Sequence, residues 1–457
     1  MSWTWNRLAL SLALASSSCT GSDDETTGQD TEGSMTSTSS PSTGGPDDSA
    51  DADSDDDGPP GCVLGQMGCG CLEGICQGGL HCVEDACVLG PQIDIGDDRA
   101  VVGGVVVPHE VEVMADSFTW SQESGPPVEI LGSESLTPAV VVPPDATPGE
   151  AIRLRLEASR NGVTLEEIWE VQVIEAAFEN ALPGIADPTQ LGTTEGLAFG
   201  PLGMYVVSIE GFVSLFDDDG TFVERFDLGG TPVGANRRDE TLIVANAGLG
   251  SVQQLNLVSG NISVLFDTLA GGGPLGAVNF PLPDGNDAED PIFVSTRTDQ
   301  TVLRYDGMTG MASVVLDDPA LVNPNALALG PDGNAIYVGT VGHVWRVPLL
   351  DGGGAGEPED YLDLGDDEGI TYEVDGLLFD EGNNLWVGCP NAGTLFVAHY
   401  SAMGPTEVSR TFETPAAGLS GFVSPRFGDG GFDEQTLYYT NLGDGTVGRL
   451  RVGLESR

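Results

Sequence analysis

The chain has 457 residues, with 71 Asp or Glu against 16 Lys or Arg, which gives a formal net charge of −55. This balance excludes nucleic acid as the default partner, because phosphate-binding surfaces need clustered cations, and it disfavours anionic membrane surfaces for the same reason. With 40% hydrophobic residues the chain can still bury a core, and its length suggests two to four domains. The 65 glycines indicate many turns and therefore many short strands.

Residues 1–18 have the pattern of an export signal. Arg7 precedes an apolar run, residues 8–15, that is too short to span a bilayer. Cys19 follows three serines and looks like the cleavage site of a bacterial lipoprotein, where it would carry the lipid; simple secretion is the alternative. We therefore expect an exported lipoprotein of the outer membrane or cell surface, with the periplasm as the alternative location.

Residues 19–60 are predicted to be the lipidated cysteine followed by a disordered acidic linker. Residues 20–60 contain twelve acidic residues and no Arg, aromatic residue, Ile, Leu or Val. A segment of this composition cannot bury enough surface to offset the entropy of ordering it.

Residues 61–90 are predicted to be a small module held by three disulfides, because a segment this short cannot build a core of its own. The export signal favours disulfides over metal binding, and the cysteine spacing contains no CxxC pair. The connectivity stays open. The six cysteines are Cys62, Cys69, Cys71, Cys76, Cys82 and Cys87.

Residues 91–175 are predicted to form a small antiparallel sandwich, because apolar and polar residues alternate between Pro and Gly clusters. The stretch FTWSQESGPPVEILGSESLTPAVVVP, with Trp120, resembles bacterial PKD-type, immunoglobulin-like repeats. That resemblance implies a passive spacer or adhesion module.

Residues 176–457 are predicted to form a six-bladed β-propeller. Six copies of a strand-turn-strand pattern begin near residues 196, 234, 276, 326, 376 and 421, a mean spacing of 45. Such a period with three to four strands per unit is typical of propeller blades. Residues 176–190 are expected to supply a closing outer strand, and a solenoid is the alternative architecture. The predicted fold class is therefore all-β.

The residue before each copy should lie at one entrance of the propeller's central channel. Three of these positions carry oxygen-bearing side chains, Glu195, Asn325 and Asp375. They are hard ligands suited to a divalent cation such as calcium. Asn and Asp also begin strands as turn formers, which is the alternative reading. The equivalent positions in the second and sixth copies are Val233 and Ser420.

Residues 190–453, which contain these positions, resemble the regucalcin/gluconolactonase (senescence marker protein) family. The motifs are TTEGLAFGPLG, NPNALALGPDGNAIYVG and EVDGLLFDEGNNLWVG. The resemblance implies that Glu195, Asn325 and Asp375 hold one divalent metal, calcium in first place and zinc or manganese as alternatives. It also implies that Asp375 acts as the general base in lactone hydrolysis.

The third copy departs from the family pattern. The family has a further Asn ligand there, whereas this chain has Ala277, and Asn279 could replace it only if the strand slips or bulges. The family's substrate-binding Arg has no clear match either, although Arg237 and Arg238 lie in the second copy. Cys389 is expected to be an inert buried thiol, and His343 an ordinary strand or turn residue.

Two functions follow as hypotheses. In the first, the protein is a metal-dependent hydrolase of lactones or small esters, with Asp375 accepting a proton from the attacking water. In the second, it is a non-catalytic propeller that binds an envelope glycan, peptide or protein. Both assume no nucleic-acid partner and membrane contact through the lipid anchor alone, and the oligomeric state stays open.

Overall fold

The computed structural model describes residues 63, 66–185, 187–267, 275–279, 291–367, 370–402, 404–413, 421–442 and 445–457. Within these ranges the regular structure is β-strand, apart from two short 3-10 helices, Pro188–Gln190 and Pro390–Ala392. The all-β prediction is therefore confirmed. The export signal, Cys19, the acidic linker and Cys62 lie outside the described residues. In the described part of the chain, no helix has the length and apolarity that crossing a membrane requires.

The cysteine-rich segment folds around a hairpin of β1 (His81–Val83) and β2 (Ala86–Val88). Its turn has positive φ at Glu84 and Asp85, as type I′ hairpin turns require. Cys69 is disulfide-bonded, and two disulfides are described in full: Cys71–Cys82 and Cys76–Cys87. The disulfide prediction is confirmed for these five cysteines, and because they are oxidised they offer no thiolate to a metal.

Two sheets and a short two-stranded sheet form the sandwich that follows. One sheet has the order β4-β11-β10-β7, with β4 parallel to β11, and the other has the order β5-β9-β8; β3 pairs with β6. The strands are β3 (Gln92–Asp94), β4 (Arg99–Val101), β5 (Val106–Pro108), β6 (Glu112–Met114), β7 (Ser117–Ser124), β8 (Glu129–Leu131), β9 (Ala139–Val141), β10 (Ala151–Arg160) and β11 (Val163–Val173).

Three rings fill the centre of the sandwich. Trp120 and Trp169 are buried and meet edge to face with centroids 6.4 Å apart, while His109 stacks on Trp169 at 3.9 Å. The indole nitrogen of Trp169 donates to the Asp97 carbonyl at 3.0 Å. Burial lowers the pKa of His109 to about 4, so the ring is neutral near pH 7. Trp120 is thus a core residue of the sandwich.

Six four-stranded antiparallel sheets account for nearly all the remaining described strands, which confirms the β-propeller fold. Sheet 1 is β13 (Thr194–Gly200), β14 (Gly203–Ser208), β15 (Phe212–Phe216) and β16 (Phe222–Asp227). Sheet 2 is β17 (Pro232–Arg238), β18 (Thr241–Asn246), β19 (Ser251–Asn256) and β20 (Ile262–Asp267). Sheet 3 is β21 (Leu275–Asn279), β22 (Ile292–Thr296), β23 (Thr301–Asp306) and β24 (Met311–Asp317).

The other three sheets repeat the same order. Sheet 4 is β25 (Ala326–Leu329), β26 (Ala335–Gly339), β27 (His343–Pro348) and β28 (Glu359–Asp363). A two-stranded hairpin, β29 (Asp366–Asp367) and β30 (Ile370–Thr371), precedes sheet 5. Sheet 5 is β31 (Gly376–Phe379), β32 (Asn384–Cys389), β33 (Thr394–His399) and β34 (Val408–Glu413). Sheet 6 is β35 (Val423–Phe427), β36 (Thr436–Asn441), β37 (Thr446–Arg451) and β12 (Phe178–Asn180).

The sheets close into a ring through their first strands. Each of β13, β17, β21, β25, β31 and β35 packs on the next, and β13 also packs on β35. Sheet 6 takes its outer strand, β12, from the start of the propeller segment, as the closing-strand prediction requires. Arg426 on β35 donates to the Ala235 carbonyl on β17, at 3.4 Å. Because sheet 1 lies between sheets 6 and 2, this guanidinium lies in the central channel.

The sandwich shares a hydrophobic core with sheets 5 and 6, which differs from the spacer role expected from the sequence. Trp169 belongs to the same buried cluster as Trp386 and Leu450. The side chain of Asn384 bonds both backbone groups of Val106, accepting from its N–H at 2.7 Å and donating to its carbonyl at 3.0 Å. These contacts make the sandwich an integral part of the propeller's packing.

Candidate metal centre

The three predicted ligands occupy equivalent positions where the first strands of sheets 1, 4 and 5 begin. Thr194 pairs with Ser208 and Gly196 with Val207, so Glu195 is the extra residue of a β-bulge. The backbone N–H of Asn325 donates to the Gly339 carbonyl, and that of Asp375 to the Gly388 carbonyl, both at 2.9 Å. A bulge turns a side chain out of the pleat, so Glu195 leaves the sheet faces.

Two of the three side chains are in direct contact. The amide nitrogen of Asn325 donates to Asp375 Oδ1. Glu195 is 8% exposed and Asn325 is 7% exposed, whereas Asp375 is partly exposed. Ser295, at the end of sheet 3, donates from Oγ to the Asn325 carbonyl at 3.1 Å and so fixes that backbone.

The two carboxyl groups share a poorly solvated space. Burial raises the pKa of Glu195, and the charge of Asp375 raises it further, against an opposing effect of Arg297. Burial likewise raises the pKa of Asp375; Arg297 and the Asn325 hydrogen bond oppose the rise, and Glu373 adds to it. A buried acid whose ionisation is disfavoured by a neighbouring carboxylate marks a centre where a cation is stabilising.

Arg297 belongs to this centre and is absent from the sequence prediction. It follows β22 directly, and its Nε donates to Asn323 Oδ1 at 3.1 Å, two residues before Asn325. The strand registers give five equivalent positions in the other sheets, and all five are apolar. They are Ile209, Ala247, Val341, Pro390 and Leu442. This repeat position therefore has a cation in sheet 3 and apolar residues in the other five sheets, a contrast that can be seen in the sequence.

Sheet 3 supplies no oxygen-bearing side chain at the ligand position. Leu275 pairs with Thr296, and the bulge that follows contains Gly276 and Ala277. Asn279 pairs with Phe293, which lies three residues before Thr296 on β22. At ~3.3 Å per residue, Asn279 is therefore about 10 Å further from the channel entrance than the pair of Leu275 and Thr296. The strand does bulge, but the register does not bring Asn279 to the entrance.

The other candidate positions contribute less. Arg237 forms an ion pair with Asp429 at 2.9 Å, and it lies at the end of β17 away from the entrance. Val233 is the bulge residue of β17 and offers no ligand. Ser420 lies outside the described residues.

Neither Cys389 nor His343 has the surroundings that catalysis requires. Cys389 is a free, fully buried thiol. Burial and the charge of Asp375 raise its pKa, so it is not a thiolate near pH 7. His343 begins β27 and lies 3.3 Å from Asp360, as an ordinary strand residue does.

The donor set fits a divalent cation. Carboxylate oxygens from Glu195 and Asp375 are hard ligands, and a half-turn of the Asn325 amide would present its oxygen in place of the nitrogen that now faces Asp375. The fit falls one ligand short at sheet 3, where an oxygen ligand would have to come from water or substrate.

A model of the SMP-30/gluconolactonase/LRE-like region matches residues 205–442. The chain belongs to this family. The matched region includes Asn325 and Asp375, while Glu195 precedes it. No curated protein matches the chain.

Three solved structures illustrate the similarity. Regucalcin, a calcium-binding protein from Agrobacterium tumefaciens strain C58, is 19% identical over 59% of this chain and 94% of its own, with a TM-score of 0.46. A luciferin-regenerating enzyme is 14% identical over 62% of this chain and 98% of its own, with a TM-score of 0.48. An auxiliary nutrient-binding protein from Bacteroides thetaiotaomicron is 11% identical over 79% of this chain and 99% of its own, with a TM-score of 0.45.

Proposed function

We propose that the protein is a divalent-metal-dependent hydrolase of lactones or related small esters. The observation that carries this proposal is the convergence of two carboxylates and an amide at equivalent strand starts, with the pKa of both carboxyl groups raised. Family membership agrees with it. Glu195, Asn325 and Asp375 would hold the metal, with calcium favoured for three oxygen donors.

Residues of the chain itself would transfer the proton. Ionised Asp375 accepts a proton from water while the water oxygen bonds to the lactone carbonyl carbon, and the same proton passes to the ring oxygen as its bond to that carbon breaks. A single hydroxy acid results. The Asn325 hydrogen bond holds the Asp375 carboxylate in one orientation. A bound cation would supply polarisation of the carbonyl oxygen.

Burial serves this role in two ways. The raised pKa of Asp375 brings its basicity closer to neutral pH than that of an exposed Asp, which favours proton transfer. The low exposure of Glu195 strengthens electrostatic interactions within the centre.

The test is a panel of aldonolactones and homoserine lactones followed by pH-stat, with calcium present or removed by EDTA. We expect calcium-dependent acid release that falls at least a hundredfold in Asp375→Asn. A flat trace over the whole panel in calcium-loaded protein would contradict the hydrolase.

A second function, non-catalytic binding of an envelope glycan, peptide or protein, is favoured by one observation. Sheet 3 lacks the oxygen ligand that a fully coordinated centre would have. Calcium binding without any hydrolysis, together with capture of a defined cell-wall glycan, would support this second function.

The protein would act outside the cytoplasm, attached by lipid on Cys19. This proposal depends on Arg7, the short apolar run and the serines before the cysteine. Growth of an expressing bacterium with radiolabelled palmitate should label the wild-type protein and leave Cys19→Ala unlabelled; label in both would contradict it.

A further inference from the structure

Arg297 is anchored beside the metal centre by one hydrogen bond. Its Nε donates to Asn323, a residue held at φ 55°. Asn323, Pro324 and Asn325 are consecutive, so the guanidinium is tied to the backbone that positions one metal ligand. In the described part of the chain, no hydrogen bond from its two terminal nitrogens is found.

The guanidinium also has no partner carboxylate among the described residues. No ion pair within 4.0 Å joins Arg297 to an acid of the described residues. Seven of the fourteen other described arginines do form such an ion pair. The paired arginines are Arg99, Arg153, Arg155, Arg237, Arg304, Arg346 and Arg449.

Arg297 nevertheless lies beside the centre, because its partner Asn323 is two residues from Asn325, and Ser295, two residues before Arg297, donates to the Asn325 carbonyl. Among the described residues the guanidinium pairs with neither carboxylate, so its terminal nitrogens are available to an anionic ligand. A guanidinium presents planar N–H pairs that match the two oxygens of a carboxylate.

Charge balance gives the nature of that ligand. Two ionised carboxylates, one divalent cation and Arg297 sum to one positive charge, and the exposed Glu373 offsets this only weakly because water screens it. A metal ion and a guanidinium that share a centre repel each other. A monoanion bound between the metal ion and Arg297 neutralises the excess positive charge and reduces the repulsion between them.

We propose that Arg297 forms a carboxylate-binding subsite beside the metal position, so that divalent metal and a monocarboxylate ligand each strengthen the binding of the other. This rests on the metal centre of the proposed function and names the chemical class of its ligand. The hydroxy acid that lactone hydrolysis releases belongs to that class.

Two consequences follow by linkage. Replacing Arg297 by a neutral residue strengthens metal binding in the absence of a monocarboxylate ligand, by on the order of tenfold. A bound monocarboxylate ligand raises the affinity of the wild type for metal, and bound metal raises its affinity for the monocarboxylate by the same factor.

The experiment titrates calcium chloride into the full chain by calorimetry, in sodium chloride and in sodium acetate of equal ionic strength. The variant is Arg297→Gln. The control is Arg304→Gln, whose guanidinium belongs to the same sheet but pairs with Asp306 at 3.2 Å. Thermal unfolding of each variant checks that it folds.

We expect Arg297→Gln to bind calcium about tenfold more tightly in chloride and to lose the several-fold gain that acetate gives the wild type and Arg304→Gln. Calcium binding to the wild type with no difference in Arg297→Gln would overturn the subsite and leave the metal centre standing. Weaker binding in Arg297→Gln would also overturn it, since the arginine would then only position Asn325. No binding to either protein would refute the metal centre and the subsite together.

Discussion

Replacing Asn384 by Ala should weaken the packing of the sandwich on the propeller and lower the free energy of unfolding. Asn384 is fully buried, and its amide bonds both backbone groups of Val106 and donates to the Asp380 carboxylate at 2.9 Å. The substitution leaves the Val106 N–H and carbonyl without these partners and removes one donor from Asp380. A buried polar group that loses its partner costs about 1–3 kcal/mol, so we expect a loss of about 3–6 kcal/mol in the free energy of unfolding.

The assay is urea denaturation followed by tryptophan fluorescence and circular dichroism. The wild type should unfold in one transition by both probes, because sandwich and propeller share a core. The matched control is Asn391→Ala, since Asn391 bonds the backbone of Thr371 and Glu373 in the same way but is exposed. It should cost under about 1 kcal/mol. Equal small losses in both variants would refute the reasoning about burial.

Three further predictions concern stability. Burial lowers the folded-state pKa of His109 from 6.5 to about 4, so the unfolded state binds the proton first as the pH falls. The free energy of unfolding should therefore fall by on the order of 3 kcal/mol between these two pH values. In His109→Leu, a plot of the urea midpoint against pH should be flatter over this range. Gly453→Ala would place Cβ 1.7 Å from the Ala100 carbonyl, so its melting temperature should fall by far more than that of Gly365→Ala, which also has positive φ but open space around it. With a net charge of −55, the chain should melt at a higher temperature in 1 M than in 0.02 M sodium chloride, and an unchanged melting temperature would show that self-repulsion is not limiting.

The sequence carries enough information to predict the repeat, and the repeat predicts the channel entrance. The 45-residue period and the residue before each copy were sufficient to bring Glu195, Asn325 and Asp375 to equivalent strand starts. The role of these residues as metal ligands stays a prediction.

Other features could not be read from the pattern. Arg297 follows the second strand rather than the first, so a search limited to one repeat position misses it. The packing of the sandwich on sheets 5 and 6 depends on contacts between Asn384 and Val106, which are 278 residues apart. Hydrophobic periodicity shows which faces are buried, but it does not show which distant surface covers them.

The measurement that tests the account most directly is calorimetric titration of calcium into the full chain and into Asp375→Ala. The control is Asp332→Asn, an exposed acid in the turn between β25 and β26. We predict one saturable site in the wild type and in the control, and none in Asp375→Ala. No site in the wild type, or equal binding in Asp375→Ala, would contradict the claim that these strand starts form a metal centre.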